Sequence, residues 1–218
     1  MWTDLKHRPD LLLLLSLLLL ILLHPVLDHH HGIVSNIFLI VLSFVPVILA
    51  TIRLSQIRGW WWQSLLLVAA IVIFSVANQF WPSPAFSTIK WVFVAVYFGL
   101  IVVGLFSYIL NAESITSSHL FTAVSIYLLL GLVWFALYCA VVSIDPGAIL
   151  TGQRELIEHR SEILYFSLGT LTTLGYGDVV AAHSVVAHLA ILEAVAGVLY
   201  IAMIVALLVG SYRRPSSS

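Results

Sequence analysis

Charge is what this chain has least of. Only 9 Lys and Arg and 10 Asp and Glu occur in 218 residues, and the formal net charge is −1. That balance leaves no basic face for a nucleic acid. A single cysteine, Cys139, excludes an intrachain disulfide framework. No polar stretch is long enough to fold as a second, soluble domain, so no soluble domain partner is expected. No nucleophile, base and acid converge on a membrane face, which argues against an enzyme. Hydrophobic residues instead make up 61% of the sequence. No soluble domain of this length has such a composition, so the lipid bilayer is the solvent.

Taken in order, the apolar runs predict six spans. A short polar start carrying Lys6 and Arg8 precedes a leucine run over 11–27, interrupted by Ser16, His24 and Pro25. A basic start and a brief apolar run also describe a signal peptide, but no small-residue cleavage site follows, so a retained first helix is expected. Asp28, His29, His30, His31 and Gly32 read as the first loop. The second span covers 33–52, with Pro46 kinking it. Trp60, Trp61 and Trp62 form an interfacial aromatic belt opening the third, which ends near Phe80 before the Trp81-Pro82-Ser83-Pro84 break. Spans at 91–110, 120–144 and 184–210 follow, with a polar turret at 145–160. Six spans put Lys6, Arg8, Arg53, Arg58, Arg213 and Arg214 on one side and Lys90, Arg154 and Arg160 on the other. That asymmetry predicts cytoplasmic termini.

Between the fifth and sixth spans lies Thr172-Thr173-Leu174-Gly175-Tyr176-Gly177-Asp178. In an ordinary strand successive carbonyls point opposite ways and cannot line one side of a pore. Alternating right- and left-handed backbone turns them the same way, and glycine at every second position (Gly175, Gly177) permits it. The carbonyls of Thr173, Leu174, Gly175, Tyr176 and Gly177, with the Thr173 hydroxyl, can then replace the water shell of a bare cation. One such strand cannot encircle an ion, and only one G-Y-G is present, so four chains are required. The twelve residues 161–172 would make a helix of about 18 Å, roughly half of a ~30 Å hydrocarbon core. A half-depth helix followed by a returning strand is a re-entrant loop, tolerated there only where it lines a water-filled path or is buried in protein.

Thr173 to Gly177 spell T-L-G-Y-G, one residue away from the T-V-G-Y-G of potassium filters. On these residues, and over 120–212, the chain resembles the potassium channel superfamily, more narrowly its small bacterial-type members with one pore loop. The resemblance implies an all-α membrane protein of six transmembrane helices plus a re-entrant pore helix and selectivity filter, tetrameric around a central pore. It implies dehydrated K+ as the permeant ion, no other cofactor, a homotetramer, and a cell (plasma or inner) membrane. Residues 1–118 then form a four-helix region like an uncharged, degenerate voltage sensor, 119–212 the pore domain, and 213–218 a short cytoplasmic tail. Two departures stand out: Leu174 replaces the usual valine or isoleucine, and Tyr165-Phe166 stands where many voltage-gated members carry paired tryptophans. The fourth span has no Arg or Lys, whereas each charge contributes only about 2.3 kcal/mol per 100 mV, so voltage independence is expected.

Further residues take roles from this likeness. Thr172, Asp178 and Tyr165 are read as filter support, with the Tyr165 phenol donating to the Asp178 carboxylate. Gly197 fits either an inner-helix hinge or a site of close helix packing. Val198, Ile201 and Val205 would line an apolar inner passage. Glu193, an acid inside a span, is a functional candidate by default, and its position favours support of the filter over direct ion binding. His29, His30 and His31 with Asp28 invite a metal or pH-sensing role, but adjacent residues rarely chelate one ion well. His183 and His188 sit near the outer mouth. The rival readings are a nonselective cation channel and a non-conducting subunit regulating another channel. The gating stimulus is not legible in these residues.

Overall fold

The computed structural model describes residues 9–29, 45–46, 48–50, 60–112, 116–152 and 159–212. Its elements in order are α1 (Pro9–His29), α2 (Trp60–Phe80), α3 (Pro84–Leu110), α4 (Ser117–Ile144), a 3-10 turn (Pro146–Ala148), β1 (Ile149–Thr151), α5 (Arg160–Leu171), β2 (Val179–Ala181) and α6 (Ser184–Tyr212). Among the described residues five helices are long and apolar enough to cross a membrane, and α5 is not one of them. The expected second span at 33–52 lies largely outside the described residues. The protein is a multi-pass, mostly helical membrane protein.

Local chemistry sets the ends of these helices. Ser83 caps α3, its hydroxyl accepting from the Ala85 N–H, and Pro84 occupies the first helical position, where a missing N–H costs nothing. Helix α3 therefore begins earlier than the sequence suggested, and Lys90 lies inside it rather than at its edge. Pro25 does not end α1, which runs on to His29. Asp28 is consequently helical and not part of a loop.

Helix α4 is the centre of the packing. Leu13, Leu17 and Leu20 of α1 are buried at i, i+4, i+7 spacing, one face of a helix packed along α4. The buried residues Phe98, Ile101, Leu105 and Ile109 give α3 a matching face. The two ends of that pair are pinned separately: Ser87 and Ser143 hydroxyls meet at 2.9 Å, and Tyr108 stacks on His119 with centroids 5.0 Å apart. A β-carbon at Gly131 of α4 would lie 2.6 Å from Leu168 of α5, so the absence of a side chain there lets the short helix approach.

The turret adds a short two-stranded ladder to the otherwise helical fold. Asp145 ends α4, and its carboxylate accepts from the Gly147 N–H to start the 3-10 turn. Strand β1 then pairs antiparallel with β2, matching Ile149 with Ala181, Leu150 with Val180 and Thr151 with Val179. Pairing across the intervening loop ties the residues before α5 to those after Asp178.

Candidate functional site

Helix α5 has 12 residues and is capped at its C-terminal end by Thr172, whose N–H and hydroxyl both reach the Leu168 carbonyl. The chain then leaves the helix in a tight turn. Thr173 N–H donates to the Thr170 carbonyl at 2.9 Å, and Leu174 and Gly175 N–H converge on the Gly169 carbonyl at 2.8 and 3.3 Å. Beyond that turn every second residue has positive φ: Thr173 at 58°, Gly175 at 52° and Gly177 at 82°. Glycine adopts this conformation freely, but for a β-branched residue it costs about 1–3 kcal/mol. Thr173 is thus held against its own preference, a feature its sequence gave no sign of. Residues 172–178, Leu174 among them, are exposed in the single chain.

The end of this segment farther from α5 is anchored by aromatic and carboxylate contacts. Tyr165 and Tyr176 rings stack with centroids 6.0 Å apart and planes 3° from parallel. The Tyr165 hydroxyl donates to Asp178 Oδ2 at 2.9 Å, while Asp178 Oδ1 accepts from the Val179 N–H at 3.0 Å. Gly152 abuts the Asp178 backbone, where a β-carbon would sit 3.1 Å from the carbonyl oxygen. Asp178 is therefore fixed from three sides: by α5, by β2 and by the turn after β1.

Behind α5, α6 supplies a buried carboxylate. Glu193 has no exposed surface. Its Oε1 lies 2.6 Å from the Ser167 hydroxyl and its Oε2 2.7 Å from the Tyr138 hydroxyl, so one acid joins α6 to both α5 and α4. Tyr138 also packs edge-on against Phe166. Four residues on, Gly197 faces the last carbonyl of α5: a β-carbon there would overlap the Leu171 oxygen. That same oxygen accepts from the Tyr127 hydroxyl at 3.1 Å. Val198, Ile201 and Val205 lie along α6 among a run of exposed apolar side chains.

Ser167, Tyr138 and Tyr127 escaped sequence reasoning. Hydroxyls inside apolar runs carry no periodic signal, and only the position of Glu193 hinted that partners were needed. His183 Nδ1 contacts Asp145 Oδ2 at 2.6 Å, and His188 bonds within its own helix to the Ser184 carbonyl. Of the histidine cluster, His29 ends α1, whereas His30 and His31 lie outside the described residues. Among the described residues no three metal-ligating side chains come together.

Residues 115–213 match the ion channel family model. The match spans a little under half of the chain and takes in α4, the turret, α5, the returning segment and α6. It supports ion channel activity, a transport role. The chain matches no curated protein and no solved structure. Among the described residues of the matched segment, positive φ alternates along the chain in the stretch that starts at Thr173.

Proposed function

We propose that this protein is a potassium-selective, voltage-independent ion channel that passes K+ down its electrochemical gradient. The alternating positive φ at Thr173, Gly175 and Gly177 carries this reading. Such a backbone aims successive carbonyls to one side, and four copies around an axis supply the oxygen cage that replaces water around K+. A homotetramer is supported by the exposed apolar side chains Val198, Ile201 and Val205 on α6, together with the exposed segment 172–178. In that assembly Val198, Ile201 and Val205 line the inner passage, and Asp178 sits at the outer mouth. α5 points its carbonyl end, with partial negative charge, toward the cavity where an ion waits. The absence of Arg and Lys from 91–110 supports voltage independence. The Lys and Arg distribution supports a cell membrane protein with cytoplasmic termini and residues 213–218 as an inner tail.

Purified protein in liposomes tests the reading. A K+ gradient should drive flux that a Na+ gradient does not. Equal permeability to both ions would replace it with a nonselective cation channel. Silence alone, with current restored by a partner channel, would replace it with a regulatory subunit.

A further inference from the structure

The first helix lies far from the candidate filter in sequence but touches the helix that carries it. Asp28, near the end of α1, places Oδ2 2.8 Å from the backbone N–H of Ser161, 133 residues away. Ser161 is the second residue of α5. The first N–H groups of any helix lack intrahelical partners and are normally met by a side-chain oxygen at the N-cap. Here the N-cap residue is His159, and its side chain makes no capping bond. The carboxylate of a distant helix takes that position, where negative charge also complements the positive end of the α5 dipole.

Other contacts hold α1 in register for this. His24 packs edge-on against Phe135 of α4 with ring centroids 5.7 Å apart. At the opposite end of α1, Asp10 accepts a hydrogen bond from Ser118 at the start of α4. Pro25, between His24 and Asp28, faces a cleft of about 550 Å³ shared with Ser161, Glu162, Tyr165, Asp178 and Val179. α1 is thus fixed to α4 at both ends, and its outer end reaches the helix whose Tyr165 holds Asp178.

We infer that Asp28 is a positioning residue that caps the pore helix from the first helix, so that α1 is a working part of the pore and not only a membrane anchor. As far as it concerns conduction, the inference rests on the channel reading above. If the cap is lost, the outer end of α5 loosens, and with it the Tyr165–Asp178 contact that steadies the filter. Asparagine keeps an acceptor oxygen at the same reach, while alanine and serine do not.

The test uses full-length protein in nanodiscs and liposomes, comparing Asp28→Ala, Asp28→Asn and Asp28→Ser with the natural sequence. Hydrogen–deuterium exchange over 160–171 should quicken about two- to thirty-fold in D28A and D28S, the range expected for a lost cap, and stay near the natural rate in D28N. K+ flux should decay faster in D28A and recover in D28N. Should D28A fail to assemble, the contrast between D28S and D28N carries the same test. Equal exchange in all variants would overturn the inference, as would loosened exchange in D28A that leaves flux and selectivity unchanged. If the natural protein carries no K+ while exchange still separates D28A from D28N, the cap stands and the conduction reading falls.

Discussion

Gly197 of the last helix and Leu171 of the pore-like helix are in direct backbone contact. A single added carbon at position 197 would collide with the Leu171 carbonyl oxygen. One helical turn earlier, Glu193 bonds Ser167 of the same short helix. The two elements are therefore joined at two adjacent levels, and any movement of α6 at Gly197 is felt by the carbonyl that precedes Thr172.

Gly197→Ala separates close packing from hinge bending. Alanine in place of glycine favours a helix by about 1 kcal/mol, whereas forcing a methyl into a filled contact costs about 1–3 kcal/mol. The overlap is with backbone, which cannot swing aside, so the larger cost wins. The variant should melt at a lower temperature than the natural protein by scanning fluorimetry in detergent. A higher melting temperature would mean that bending freedom is all that glycine supplies.

At Glu193, charge and hydrogen bonding can be told apart. Glu193→Ala strands the Tyr138 hydroxyl in a buried space, at about 1–3 kcal/mol, while the Ser167 hydroxyl keeps the Gly131 carbonyl at 2.9 Å as its acceptor. Glu193→Gln retains a partner for both. E193A should lose thermal stability and K+ flux together, while E193Q stays near the natural protein in stability. Equal stability of E193A and the natural protein would contradict the network.

The exposed Tyr165–Asp178 bond competes with water and contributes little to stability. Tyr165→Phe keeps the stack on Tyr176 and removes only the donor. The melting temperature should move little, but current should decay faster during sustained K+ flow in planar bilayers. Unchanged decay would assign the contact no part in holding the outer mouth.

Removing the permeant ion is a fourth test. Ions held only by the assembled pore stabilise it by about 2.7 kcal/mol at a hundred times their dissociation constant. Replacing KCl with choline chloride should lower the temperature at which the oligomer dissociates, and KCl should restore it. Identical dissociation temperatures in both salts would argue against an ion site in the pore.

Much of this arrangement is legible in the residues themselves, because lipid leaves few ways to bury a backbone. The apolar runs matched the long helices to within a few residues at most ends. The half-length helix before Thr172 followed from spacing. The contacts that brace the site were harder to read. Asp28 reads as one member of a polar loop until Pro25 is seen to be tolerated within α1, and nothing local links it to Ser161. The β1–β2 ladder joins three-residue segments too short to show a period. Thr173 takes positive φ against its own propensity, a constraint imposed by the turn onto the Gly169 carbonyl and by the anchored Asp178 beyond.

The most direct test of potassium conduction through a fourfold cage is a cryo-EM map of the protein in lipid nanodiscs and KCl. The account predicts four copies around one axis, with density for a column of ions at the level of Thr173 to Gly177 and no room for their water shells. A monomer or dimer, or an axis lined by side chains with no ions between the carbonyls, would contradict it.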